Sequence, residues 1–175
     1  MGSAVVDWLW VAVLLGFLGM ILGIRGIHRY QAPADGAPGR VGAWLVVLGA
    51  AVIVLLGLAF LVWEAVGGLP EAGPAVVDVA WMVGFAAFVL GVILFAIGII
   101  KGKVLPAGSA VLMLVGLLAA IAIDMATGAF FEDEPTTTEW GFFLGVPLFA
   151  LGLCWAGYAV WKGRASGRSP EAGVR

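Results

Sequence analysis

The chain has 175 residues, 63% of them hydrophobic and only 11% charged, with a mean hydropathy of +1.12 and a formal net charge of −2. Too few charged side chains are present to cover a water-soluble domain of this length. The single cysteine, Cys154, excludes a disulfide framework within the chain.

Stretches free of Asp, Glu, Lys, Arg and His run over 8–24, 41–63, 79–100, 104–123 and 140–161. About 17 to 25 apolar residues cross a hydrocarbon core as a helix. The expectation is therefore an all-α integral membrane protein with five transmembrane helices, over about 5–24, 41–63, 78–100, 104–124 and 139–161, forming one domain.

The first span opens with no basic segment and ends in Arg25 rather than at a small-residue cleavage site, so it reads as a retained anchor. Asp7 stands at its N-terminal end, where a carboxylate suits the helix dipole. Gly19 and Gly23 form a GxxxG pair that serves either packing within the bundle or a dimer face. Residues 25–40, RGIHRYQAPADGAPGR, read as the longest loop, made irregular by Pro33 and Pro38. It holds the only histidine, His28, between Arg25 and Arg29, and these three are the expected contacts to lipid headgroups.

The second span is closed by Trp63 and Glu64, and a short turn-rich connection leads to Asp78 and the third. Gly84, Gly91 and Gly98 recur every seven residues there and lie on one stripe, which points to close contact with another helix. Gly98 and Gly102 add a GxxxG. With Lys101, Gly102 and Lys103 alone between them, spans three and four are antiparallel neighbours. The fourth runs to Asp124. The acidic triplet Glu132, Asp133, Glu134 follows, and Thr136 with Glu139 has capping-box spacing for the fifth span. In that span Pro147 removes a helix hydrogen bond and predicts a kink. Cys154 reads as a small packing residue, and 162–175 as a flexible tail.

The charges are segregated. All nine Lys and Arg lie at 25–40, at 101–103 and after 161, three segments that share one side of a five-span protein. Nine of the eleven acids lie on the other side. Basic residues in short loops mark the cytoplasmic face, which places the N-terminus outside and the C-terminus inside a cell (plasma) membrane. The glycine-rich helices and the KVLP start of the fourth span have the texture of small bacterial or archaeal membrane proteins.

Residues 84–103 align with 145–164 with six identities in twenty, among them Gly84/Gly145, Phe88/Phe149 and Gly91/Gly152. This predicts a lone first helix followed by two tandem helical hairpins, roughly 40–102 and 103–164, repeated in parallel about the membrane normal. Gly84, Gly91, Gly98, Gly102, Gly145 and Gly152 are the expected helix-packing positions.

No charged or histidine side chain stands at mid-depth, which weighs against a coupled transporter or a selective channel formed by this chain alone. One histidine is too few for haem or a transition-metal site, so no cofactor is expected. No catalytic motif is recognisable. Glu64, Asp78 and Asp124 are the only candidates to hold a cation or a basic partner. The leading expectation is a non-catalytic accessory subunit or helix-packing scaffold. Its partners would be membrane lipids and another membrane protein, or a second copy, met through glycine faces, with no nucleic acid. The alternative is a cation or small-molecule transport component with an acidic outer vestibule. A third reading is a lipid-directed enzyme using His28.

Overall fold

The computed structural model describes residues 3–34, 36–67, 75–126 and 140–165. They form five α-helices: α1 (Ser3–Gln31), α2 (Gly36–Gly67), α3 (Ala75–Gly102), α4 (Ala107–Ala126) and α5 (Trp140–Ala165). All five are long and apolar enough to cross a membrane, as a multi-pass membrane protein requires. Exposed Leu15, Leu22, Leu55 and Leu90 dress the outside of the bundle, the normal surface for a protein whose solvent is lipid.

The irregular loop expected over 25–40 is absent. Instead α1 continues about two further turns to Gln31, a turn spans 32–34, and α2 starts at Gly36. The prolines bound these helices rather than break them. Pro33 cannot continue α1, whereas Pro38 falls in the first turn of α2, where its missing N–H is not needed. Ala34 N–H donates to Gln31 O at 2.8 Å, and Gly36 takes a left-handed φ of 62° that turns the chain.

Between α3 and α4 the connection is 103–106, so α4 begins three residues later than the span expected from 104. Lys103 ends α3 in the left-handed region (φ 53°), and its N–H donates to Ile99 O at 3.3 Å. That bond is the one-turn cap in which glycine is the usual residue. Pro106 O then accepts from both the N–H (3.0 Å) and the Oγ (2.7 Å) of the buried Ser109, opening α4. The helix α5 is unbroken through Pro147.

The largest interfaces are α2 with α3 and α4 with α5; α3 also packs on α4, and α1 on both α2 and α5. Glycines permit the two main seams. A Cβ on Gly49 would stand 2.5 Å from Phe88 N and 2.6 Å from Gly84 O, and one on Gly91 would stand 2.5 Å from Val46 N. Across the other seam, a Cβ on Gly116 would meet Phe149 N and stand 2.7 Å from Gly145 O. One on Gly152 would lie 2.7 Å from Ser109 O and 2.8 Å from Met113 N. Backbone touches backbone in both pairs, which is how membrane helices gain dispersion contacts without a hydrophobic drive between them.

The core is thickest toward the end of the bundle that holds the α1–α2 turn, where Ile24, Phe95, Ile99, Met113 and Ala156 are sealed from outside. Phe88 joins the pairs farther along. Its ring meets Phe149 at 6.2 Å in a tilted contact and Phe17 of α1 at 6.1 Å edge to face, both arrangements favoured by aromatic quadrupoles.

Candidate functional site

The up-and-down order brings the α1–α2 turn, the ends of α3 and α5 and the start of α4 to one end. Gly102 lies against Ala34, where a Cβ would be 3.2 Å from Ala34 O, and the Tyr30 hydroxyl contacts Gly163. Arg25, Arg29, Arg40, Lys101, Lys103 and Lys162 are all exposed at this end, and among the described residues no acid accompanies them. Exposed Trp44 and Trp161, the latter against Tyr158 at 5.9 Å, supply the aromatic rim expected where a membrane meets water.

Extension of α1 changes what the three expected headgroup residues can do. At positions i, i+3 and i+4 of one helix, Arg25, His28 and Arg29 share a face. They line a cavity of ≈ 150 Å³, whose other wall is Ala43, Trp44 and Val47 of α2. His28 is half-buried and engaged within the chain; both arginines are exposed. Sequence reasoning missed the α2 wall. A signal for it existed, because Arg40, Trp44 and Val47 follow one another at helical spacing immediately after the turn.

The expected glycine positions all lie at close approaches or in the core, but their neighbours belong to this same chain. Gly84 and Gly91 face α2, Gly145 and Gly152 face α4, Gly98 is buried in α3, and Gly102 meets the α1–α2 turn. Sequence reasoning overlooked the opposing small residues. Gly42 and Gly49 on α2, and Ser109 and Gly116 on α4, carry the same seven-residue spacing. In contrast, a Cβ added at Gly16, Gly19 or Gly23 of α1 would meet nothing within 4 Å.

A second, apolar cavity of ≈ 360 Å³ lies between α1 and the α4–α5 pair, floored by Phe88, Gly116, Gly145 and Phe149 and walled by Gly16 and Phe17. Cys154 does not pack as expected but is exposed. The packed face of α5 runs through Gly145, Phe149, Gly152, Ala156 and Val160, and position 154 falls off that stripe.

The acidic candidates do not converge. Asp78 is exposed in the first turn of α3, where the helix dipole favours it. Asp124, near the end of α4, is half-buried and engaged within the chain. The Glu64 side chain, the acidic triplet at 132–134, the Thr136–Glu139 capping pair and the tail from 166 lie outside the described residues. Among the described residues no group of three His, Cys, Asp or Glu side chains is placed to hold a metal ion.

No protein-family model matches this chain, and neither a curated protein nor a solved structure matches it.

Proposed function

We propose that this protein is a non-catalytic membrane scaffold, a subunit that holds a helix of another membrane protein against α1. The carrying observation is the contrast between its glycines. Gly84 and Gly91 of α3 and Gly145 and Gly152 of α5 are occupied by helices of the same chain, whereas the Gly19–Gly23 pair of α1, like the isolated Gly157 of α5, meets nothing. A Gly-xxx-Gly face beside exposed Leu15, Leu18 and Leu22 suits a close helix crossing. The first helix also has the smallest buried share of the five spans, 17% against 28–44%.

The scaffold itself reads as a duplicated hairpin, α2–α3 and α4–α5, preceded by α1. Two observations support this reading. Gly49 approaches Gly84 O and Phe88 N, and Gly116 approaches Gly145 O and Phe149 N, the same atoms in the same order. The matching rings Phe88 and Phe149 also touch each other, as equivalent residues do at a two-fold axis. The basic end faces the cytoplasm in this reading, following the positive-inside rule, with the N-terminus outside a cell membrane.

The test is purification of the full chain in mild detergent with mass measurement of the intact complex. A stoichiometric partner protein should accompany the wild-type chain, and the Gly19→Leu/Gly23→Leu double variant should lose it while keeping its thermal stability. Recovery of a partner-free monomer overturns the proposal, and a homo-oligomer would move the contact to a second copy.

A further inference from the structure

We infer that the cleft between α1 and α2 binds the phosphate of an anionic phospholipid. The ligand chemistry is a phosphate ester, and the cleft has the parts for one that carries acyl chains. Arg25 and Arg29 stand one helical turn apart on the same face, along one wall of the cavity. Arginine presents a planar fork of donors that matches two phosphate oxygens at once, which a lysine ammonium does not.

Three arginines, Arg25, Arg29 and Arg40, fall on the two helices that form this cleft, whereas the ends of the other helices bring Lys101, Lys103, Lys162 and Arg164 to the same end. Arg40 stands one turn from Trp44 along α2, on the side that forms the opposite wall.

Size and polarity agree with this occupant. The cavity of ≈ 150 Å³ is about ten times the ~10–15 Å³ that admits one water. Its α2 wall is apolar: Ala43 is buried, Val47 half-buried, and Trp44 is 56% exposed at the rim. A free phosphate would have no use for that wall. A lipid would lay its glycerol and first methylenes on it, with the indole at headgroup depth. Arg25 lies ~9 Å along the axis before the end of α1, so its guanidinium reaches outward from hydrocarbon depth toward the phosphate layer.

The experiment places the full chain in nanodiscs of phosphatidylcholine with a minority of phosphatidylglycerol and measures the phosphatidylglycerol retained after extraction, by native mass spectrometry. The wild type should retain the anionic lipid. The Arg25→Gln/Arg29→Gln variant should bind it at least about thirtyfold more weakly, because it removes two charge-assisted contacts to the phosphate. The Lys101→Gln/Lys103→Gln variant removes the same charge from the same end and should change retention less than threefold. Equal loss in the two variants would mean diffuse attraction to the surface and overturn the site. Trp44→Ala separates the sources: it should weaken phosphatidylglycerol retention several-fold, and millimolar glycerol 1-phosphate should not displace the lipid. Displacement by glycerol 1-phosphate would assign the cleft to a soluble phosphate ester and overturn the lipid assignment. Thermal unfolding of every variant checks that the bundle is intact.

Discussion

Replacing one hydrogen by a methyl group at Gly49 tests how the hairpins are held. The added Cβ of Gly49→Ala would stand 2.5 Å from Phe88 N, 2.6 Å from Gly84 O and 2.9 Å from Phe88 Cα. Carbon rests at ~3.5–4.0 Å from its non-bonded neighbours. All three atoms are backbone, so no side chain can swing aside, and α2 and α3 must part locally by roughly 1 Å. Overpacking of this kind costs ~1–3 kcal/mol. Against that, alanine is a better helix residue than glycine by ~1 kcal/mol. The clash sits toward the upper end of its range because rigid helices meet on both sides, so the net loss is about 1–2 kcal/mol. Gly116→Ala meets the same obstacles, Gly145 O at 2.7 Å and Phe149 Cα at 2.9 Å, and should lose a similar amount. Gly19→Ala meets nothing within 4 Å and should gain up to ~1 kcal/mol. Denaturant titration of the three variants in mild detergent, followed by far-ultraviolet circular dichroism, measures the spread. If Gly49→Ala and Gly116→Ala proved as stable as Gly19→Ala, the close seams would be wrong.

Other outcomes follow from single contacts. Lys103 holds a left-handed φ of 53°, a conformation costing a side-chain-bearing residue roughly 1–2 kcal/mol, so Lys103→Gly should raise the denaturation midpoint. Ser109 is fully buried with its Oγ on Pro106 O at 2.7 Å, and Ser109→Ala should cost about 0.5–1.5 kcal/mol by the same titration. Cys154 is exposed midway along a helix long enough to span a membrane, so a maleimide, which needs the thiolate, should leave it unmodified in membranes and label it once the chain is unfolded in denaturing detergent. In a Cys154→Ala background, sulfonated reagents should label Lys103→Cys from one side of sealed vesicles and Val76→Cys from the other.

The five helices were legible because long uncharged runs have few physical outcomes in a chain this apolar. The seven-residue glycine spacing also announced close helix contact, but not which helix. Finding the partner required seeing that Gly42 and Gly49, and Ser109 and Gly116, repeat that spacing on the neighbouring span. Prolines suggest a loop for the α1–α2 connection only while their positions within the helices are ignored. Position within a helix decides what a proline does, and Pro38 falls in a first turn that tolerates it. Reading 25–40 as a loop hides the cleft between α1 and α2, since Arg25, His28 and Arg29 share a face only if the helix continues past Arg25. The α2 wall depends on how two helices cross, which no local pattern encodes.

In the duplicated-hairpin reading proposed above, contact between Phe88 and Phe149 also accounts for the unevenness of the bundle from end to end. Two hairpins related about an axis through these rings would pack α3 on α4 and, on the far side, α2 on α5. Only the first of these is an extensive contact; α1 packs on both α2 and α5 instead. A single helix fills such a gap only where it lies close to both neighbours. At the basic end it does, with Tyr30 against Gly163 and Ile24 and Ile27 in the core. Farther along, Leu14 reaches Gly57 of α2 and Phe17 reaches Phe88, and the space toward α5 remains as the ≈ 360 Å³ cavity. The part of α1 beside that cavity therefore has packing on one flank only. It is the segment with least to lose on moving, and a partner helix on its glycine edge would supply the missing contacts.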